Sequence, residues 1–180
     1  VVLSGSLPQR FAVDSYACLV RHLHARGCRV VLDTSGDALR DGVGAGPEAI
    51  KPNRTELESL AGQNLDNEEA LVDAARACLA DCSLVLVSDG ARGAFFVAPQ
   101  CILHAETPPV EVRDTTGAGD ALLGQFCADY FASGREQLDE TLVRRAVAAG
   151  SAAVELEGTP PVPITRVEEL ARAVRVRRVV

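Results

Sequence analysis

The residues best suited to chemistry in this 180-residue chain lie in DTTGAGD, at positions 114–120. Its two glycines leave the backbone N–H groups of Gly117, Ala118 and Gly119 uncovered at the predicted start of an apolar helix. The positive end of a helix dipole favours anions, so a phosphate group fits there. Asp120 falls in the first turn, within reach of a substrate hydroxyl beside that phosphate. The pattern predicts an anion cradle next to a general base, whereas a bare GxGD indicates only a helix start with a favourable charge.

Other loops carry polar residues directly after predicted strands. In sheets of parallel strands, ligands bind beyond the carboxyl ends of the strands. The sequence therefore predicts that these loops line one ligand-binding edge together with DTTGAGD. They are GSLPQR at 5–10, DTSGD at 33–37, KPNRTE at 51–56 and SDGARG at 88–93.

The elements that must position these loops alternate between strand and helix. Buried strands are predicted at 1–4, 28–33, 50–52 and 83–89, and the runs at 94–98 and 101–105 predict an antiparallel meander. Helices are predicted at 13–26, 55–62, 67–81, 121–134, 136–154 and 166–180, the last with a frayed end. A Gly-rich segment is predicted between 34 and 49, and Asn53 or Thr55 is the predicted cap of the helix that follows. This order predicts a single α/β domain over residues 1–180, with a mostly parallel sheet covered by helices.

Composition narrows the class of partner. The chain has 18 basic and 25 acidic residues, a net charge of −7 and no long basic run, which argues against binding to nucleic acid or to a membrane surface. No apolar stretch approaches the roughly 20 residues of a membrane span, and the N-terminus lacks the pattern of a signal peptide, so we expect a cytoplasmic protein. Lys51 is the sole lysine and precedes Pro52, so no GxxxxGK[ST] phosphate loop is present.

Taken together, the motifs resemble those of the pfkB, or ribokinase-like, family of carbohydrate kinases. DTTGAGD is similar to the C-terminal signature of that family. Four further segments occur in the family's order and resemble the branch that phosphorylates sugar phosphates, namely SGSLP at 4–8, LDTSGDAL at 32–39, KPNRTEL at 51–57 and SDGARGA at 88–94. The resemblance extends from position 2 to about position 159. It implies a three-layer α/β sandwich of Rossmann type.

The resemblance also implies roles for individual residues. Asp120 matches the aspartate that takes the proton from the acceptor hydroxyl, and the amides of Gly117, Ala118 and Gly119 match those that hold the transferring phosphoryl group. Both roles agree with the chemistry expected from the motif itself.

A second set of residues is implied to bind the nucleotide and its metal. Asn53 and Glu56 match an NxxE pattern that organises Mg²⁺ and phosphates, and oxygen ligands suit this cation. Lys51 matches a lysine near the nucleotide. Asp33 matches an acidic residue that faces the magnesium region, with a structural role as the alternative. The turn that receives the phosphates and ribose of ATP is matched by Ser88, Gly90, Arg92 and Gly93.

The implied activity is phosphoryl transfer from ATP to a hydroxyl of a sugar phosphate, with fructose 1-phosphate the leading acceptor. The implied cofactors are ATP, Mg²⁺ and, in some members of the family, a monovalent cation, and a homodimer is expected of the full-length protein. The N-terminal strands and the small β-lid that hold the sugar in this family have no counterpart here. The alternative is therefore a non-catalytic remnant that binds nucleotide weakly or serves as an interaction domain, and the coding sequence upstream of Val1 would distinguish the two.

The chain departs from the family pattern at two positions that bear on the site. Arg10 stands where the first loop usually carries glycine. Asp89 stands where leucine is common, and it places a negative charge beside the expected phosphate site.

Overall fold

The computed structural model describes residues 1–131 and 137–179. The chain packs into two compact units, the first formed by residues 1–88 and 97–100, the second by residues 89–96 and 101–180. This division into two units does not test whether residues 1–180 form a single domain, which therefore remains a prediction. Among the described residues, no helix combines the length and apolarity that crossing a bilayer requires.

In the first unit, parallel strands alternate with helices. Strands β1 to β4 lie side by side in chain order, and each neighbouring pair is parallel. These strands are β1 (Val2–Ser4), β2 (Val31–Asp33), β3 (Ala49–Ile50) and β4 (Leu84–Ser88). Its helices are α1 (Ser15–His24), α2 (Gly36–Val43), α3 (Arg54–Ala61) and α4 (Glu68–Cys78).

The core of this unit follows from the sequence of β4. Val85, Leu86 and Val87 are completely buried, as expected for a strand with apolar residues on both faces. Strand β1 is different, because Val2 remains 45% exposed and the prediction of a buried strand is wrong there. The strand lies at the edge of the sheet and pairs with β2 alone, which leaves its other side without a neighbour within this unit.

Helix α2 corrects the prediction of a Gly-rich connection between 34 and 49. Its Gly42 packs so closely that an added Cβ would lie 2.4 Å from Cδ2 of Leu32, while Leu39 and Val43 are buried. Glycine here allows the helix to approach β2, and its low helix propensity hides the amphipathic pattern from sequence analysis.

The second unit combines strands with a helical layer. A 3-10 turn (Gly90–Arg92) lies at the predicted turn and precedes β5 (Ala94–Ala98) and β6 (Cys101–Ala105), the two strands of the predicted meander. The last two residues of β5 are counted with the first unit. Helices α5 (Ala118–Tyr130), α6 (Glu140–Ala153) and α7 (Ile164–Ala171) follow. The predicted helical residues 132–134 and the predicted helix start at 136 lie outside the described residues.

Small residues bring α5 and α6 together. An added Cβ at Gly150 of α6 would lie 3.0 Å from the carbonyl oxygen of Ala118 at the start of α5. Phe126 of α5 is completely buried and its ring lies 5.6 Å from that of Phe96. This close packing fixes the start of α5, which carries the predicted anion cradle.

The C-terminal segment corrects a further prediction. Helix α7 ends at Ala171 and Val176–Arg178 forms β7, which pairs antiparallel with β6, so the predicted frayed helix is wrong at this end. Leu103 lies opposite Arg178 in this pair. An edge strand offers unpaired backbone groups, and satisfying them outweighs the helical preference of an arginine-rich tail. The fold class itself, α/β with mostly parallel strand pairs, is confirmed.

Candidate functional site

The start of α5 has the backbone that the DTTGAGD pattern predicts. Gly117 immediately precedes the helix with φ 78°, a left-handed conformation that favours glycine, and an added Cβ would lie 3.0 Å from Cγ2 of Thr159. Ala118 begins the helix, and its N–H makes only a long bond of 3.4 Å to the carbonyl oxygen of Thr115. Gly119 follows in the first turn. These amides lie at the N-terminus of α5, which is the positive end of the helix dipole, where an anion is stabilised.

Asp120 occupies the first turn of α5 and is exposed. It lines a cavity of about 300 Å³ together with residues of α5, α6 and the segment between α6 and α7. Polar groups at this cavity come from Thr116, Gln125 and Thr159, and its remaining lining is mostly apolar. A carboxylate at the edge of such a cavity is placed to accept a proton from a bound hydroxyl compound.

Asp114 is the first residue of the DTTGAGD motif, and the sequence alone predicts no role for it. Its Oδ1 accepts a hydrogen bond of 2.9 Å from the N–H of Thr116, and its Oδ2 accepts one of 3.1 Å from the N–H of Gly158. These bonds, with the Thr116 amide as the largest cause, lower the pKa of Asp114 and keep it charged. Asp114 thus joins the loop before α5 to the segment that follows α6. Only the fold reveals this contact.

An ion pair joins α7 to the segment that follows α6. Both carboxylate oxygens of Glu155 accept hydrogen bonds of 2.7 Å from the guanidinium of Arg166. This pairing lowers the pKa of Glu155. Because Arg166 belongs to α7, the pair anchors this helix to the segment that lines the cavity.

In the first unit, Asn53 and Glu56 form a reciprocal capping box. The Asn53 side chain accepts a hydrogen bond of 2.9 Å from the N–H of Glu56, and Oε2 of Glu56 accepts one of 2.8 Å from the N–H of Asn53. Asn53 is therefore the helix cap, and Thr55 is not. Ser88 forms a bridge with Asn53, since its N–H donates to the carbonyl oxygen of Pro52 at 3.1 Å. The structure thus brings Asn53, Glu56 and Ser88 together at the carboxyl ends of β3 and β4.

Lys51 is buried and paired with the carboxylate of Asp33. Its Nζ lies 3.1 Å from Oδ1 of Asp33, and the two side chains are 8% and 13% exposed. This ion pair is consistent with the structural role that is the alternative for Asp33. A role for Lys51 at the nucleotide remains a prediction.

Replacing Lys51 with Met is expected to lower the free energy of unfolding by about 3 kcal/mol, because it removes the ammonium that compensates a buried carboxylate. Chemical denaturation measures the change. The matched control is Arg40→Met, since the Arg40–Asp37 pair is 56% and 79% exposed, and here we expect less than about 1 kcal/mol. Equal small losses would show that the buried pair adds no stability.

The turn at 89–93 places Arg92 on a buried carboxylate. Nε and Nη2 of Arg92 each donate a hydrogen bond of 2.8 Å to Asp89, whose side chain is 3% exposed. The negative charge of Asp89 was expected to repel a phosphate bound nearby. The ion pair with Arg92 neutralises that charge. These hydrogen bonds raise the pKa of Arg92. Gly90, Arg92 and Gly93 are thereby brought into one turn, as predicted.

The first loop keeps its backbone conformation although Arg10 stands where glycine is usual. Arg10 has φ 78°, the left-handed conformation that glycine usually supplies at this loop position.

Among residues 1–131 and 137–179, no group of at least three His, Cys, Asp or Glu side chains could hold a metal ion.

Comparison with known proteins places these features in a family. The profile described as "pfkB family carbohydrate kinase" matches residues 1–165. The 1-phosphofructokinase of Xanthomonas campestris pv. campestris is 43% identical over 133 residues, which are 71% of this chain and 42% of that protein. The 1-phosphofructokinase of Rhodobacter capsulatus is 37% identical over 178 residues, which are 98% of this chain and 55% of that protein.

Solved structures agree with the sequence comparison. The phosphofructokinase-2 of Escherichia coli in complex with potassium matches with a TM-score of 0.88 and 31% identity, over 95% of this chain and 55% of that one. The chain thus spans about half the length of the relatives it matches.

Proposed function

The chain belongs to the pfkB family of carbohydrate kinases, and we propose that its reaction is phosphoryl transfer from ATP to a hydroxyl of a sugar phosphate. The observation that carries this proposal is Asp120, exposed in the first turn of α5 at the edge of a cavity and directly after the glycine-shaped helix start. Fructose 1-phosphate is the proposed acceptor, because several of the similar relatives are named 1-phosphofructokinase.

In the proposed mechanism, the carboxylate of Asp120 accepts the proton of the acceptor hydroxyl as its oxygen attacks the γ-phosphorus of ATP. The bond between the γ-phosphorus and the β–γ bridging oxygen breaks, and ADP leaves. The amides of Gly117, Ala118 and Gly119 donate hydrogen bonds to the phosphoryl oxygens, where negative charge must be stabilised during transfer. Most of the rate enhancement comes from positioning and charge stabilisation, since phosphoryl transfer asks little covalent chemistry of the protein.

The residues of the capping box fit a Mg²⁺ ion that retains most of its water. Oε2 of Glu56 accepts the Asn53 N–H, and Oε1 lies outside this pair of bonds as a carboxylate oxygen for the hydrated cation. When bound, Mg²⁺ would neutralise part of the negative charge of the nucleotide phosphates. Ser88, Gly90, Arg92 and Gly93 are proposed to bind the nucleotide phosphates and ribose, with Lys51 nearby.

Replacing Glu56 with Gln is expected to raise the Mg²⁺ concentration needed for half-maximal activity or nucleotide binding. Gln keeps the capping box, because its amide oxygen still accepts the Asn53 N–H, but it removes the charge. A Mg²⁺ titration measures the effect. The control Glu69→Gln makes the same change in the first turn of α4 and should leave the titration unaltered. An unchanged requirement in Glu56→Gln would assign Glu56 to capping alone.

A monovalent cation is proposed beside Asp114. The N–H of Arg113 donates a bond of 2.8 Å to the carbonyl oxygen of Val154, so the loop before α5 lies against the segment after α6. Asp114 carries a lowered pKa and remains charged there. One similar structure, that of the E. coli phosphofructokinase-2, was solved in complex with potassium.

We propose that the full-length protein is a homodimer. We also propose that it acts in the cytoplasm, where ATP and sugar phosphates are available. Another structure of the E. coli relative is described as a tetrameric inhibited form. No nucleic-acid or membrane partner is proposed, since the net charge of −7 opposes binding to anionic surfaces.

The test is an assay of ADP release with ATP, Mg²⁺ and fructose 1-phosphate, using the longest open reading frame that contains these 180 residues. Acceptor-dependent release supports the kinase. The second candidate is a nucleotide-binding module without transfer, which the coverage of about half of each relative keeps open. Nucleotide binding without acceptor-dependent ADP release would favour that module.

A further inference from the structure

His104 contacts the turn at 89–93, and the proposed mechanism gives it no role. Its side chain belongs to β6, is 7% exposed and stacks on Phe95 with ring centroids 4.2 Å apart. Nε2 of His104 lies 3.0 Å from the carbonyl oxygen of Arg92. A carbonyl oxygen only accepts hydrogen bonds, so Nε2 carries the hydrogen and donates it. A buried imidazole therefore holds one defined carbonyl group of the turn.

A second side chain holds a second carbonyl group of the same turn. The hydroxyl of Thr107 donates a hydrogen bond of 3.2 Å to the carbonyl oxygen of Gly90. Within the turn, the N–H of Gly93 donates to Gly90 at 3.1 Å, and the N–H of Asp89 donates to Gly93 at 2.8 Å. The carbonyl oxygens of Gly90, Arg92 and Gly93 are thus all directed toward protein donors.

This arrangement matters for a turn that faces phosphate. Carbonyl oxygens carry partial negative charge and repel an anion, whereas N–H groups attract it. His104 of β6 and Thr107, which follows β6, hold the carbonyl oxygens of Arg92 and Gly90, so neither oxygen is free to turn toward a phosphate. The hydrogen bonds from His104 and Thr107 therefore orient the turn for an anion.

We propose that His104 is a positioning residue for nucleotide binding, which orients the turn at 89–93 through the Arg92 carbonyl group, with Thr107 as its counterpart at Gly90. The proposal rests on the proposed function, because it assumes that this turn receives the phosphates of ATP. A role confined to packing against Phe95 would require only a flat ring, and phenylalanine would satisfy it equally well.

Two replacements of His104 separate the ring from the donor. His104→Phe keeps an aromatic ring against Phe95 and removes the N–H donor. His104→Gln removes the ring and keeps an amide N–H at a similar distance from the backbone. Equilibrium binding of ATP, ADP and adenosine, together with the melting temperature, is measured for both variants in the longest open reading frame that contains these 180 residues.

We expect His104→Phe to weaken ATP and ADP binding on the order of tenfold, the scale of leaving a buried carbonyl oxygen without its donor. Adenosine, which has no phosphates, should bind with unchanged affinity. His104→Gln should retain ATP affinity within about threefold, since it restores the donor. A decrease in melting temperature without loss of ATP affinity in His104→Phe would overturn the proposal.

Thr107→Val provides an independent measurement on a partly exposed residue, should His104→Phe fail to fold. It removes the hydroxyl donor at Gly90 with little change in shape, and ATP binding should weaken while adenosine binding does not. Unaltered ATP affinity in this variant would then contradict the proposed orientation of the turn. Absence of ATP binding by the unmodified protein would overturn the proposed nucleotide site and this role with it. Equal ATP binding by all variants would overturn the positioning role of His104 and Thr107 and leave the nucleotide site itself in place.

Discussion

Replacing Gly93 with Ala is expected to lower the free energy of unfolding by about 5 kcal/mol or more, among the largest effects of a single substitution. Gly93 has φ 99° and ψ −139°, a conformation open almost only to glycine. An added Cβ would lie 1.9 Å from the carbonyl oxygen of Ala105, which belongs to the backbone of β6 and has no freedom to rotate away. Either the turn or the end of β6 would have to move.

Gly90→Ala is the matched control, because it makes the same change three positions earlier in the same turn. Gly90 also has a positive φ, 56°, but an added Cβ meets nothing within 4 Å. Only the backbone preference is lost, at a cost of about 1–2 kcal/mol. Urea denaturation of both variants measures the difference, or soluble yield where Gly93→Ala does not fold. Equal stabilities would mean that the close approach to Ala105 is not maintained in solution.

Much of this fold could be predicted from short stretches of sequence. The continuous apolar run of β4 indicates a strand buried on both faces, and Asn53 with Glu56 indicates the start of α3. Gly93 and Gly117 mark turns whose backbone requires glycine. Each of these signals is local, because a few neighbouring residues determine the conformation.

The elements that sequence analysis missed depend on partners far along the chain. Helix α2 contains two glycines, and it is stabilised by packing against β2 rather than by its own propensity. Strand β7 is determined by the open edge of β6, which no pattern between 166 and 180 reveals. The exposure of β1 likewise depends on the absence of a second neighbouring strand within its unit.

The candidate site shows the same division between local and distant information. The motif locates Gly117 and Asp120, because their roles follow from the start of one helix. The supporting contacts could not be predicted, since Asp114 binds Gly158 across 44 positions and His104 binds Arg92 across 12. A local motif therefore predicts the chemistry, while the fold shows which contacts hold the motif in place.

Replacing Asp120 with Asn is expected to lower acceptor-dependent turnover by a factor on the order of 10² to 10⁴, the usual scale for loss of a general base. Asn has nearly the same shape but cannot take the proton of the attacking hydroxyl. Asp120 is exposed and lies in the first turn of α5, whose start is shaped by the backbone of Gly117. The fold and the affinity for ATP should therefore remain unchanged. The measurement combines ADP release with equilibrium ATP binding, in the longest open reading frame that includes these residues.

Asp139→Asn separates this chemical effect from a general effect of removing an acidic residue at a helix start. Asp139 caps α6 by accepting a hydrogen bond of 2.8 Å from the N–H of Leu142, and Asn caps a helix equally well, so turnover should be unchanged. Near-normal turnover in Asp120→Asn would remove Asp120 from the mechanism. A loss of ATP affinity that matches the loss of turnover would instead make Asp120 a nucleotide-binding residue. A fall in turnover at constant ATP affinity places the Asp120 carboxylate in the transfer step, in which an amide cannot accept the proton of the attacking hydroxyl.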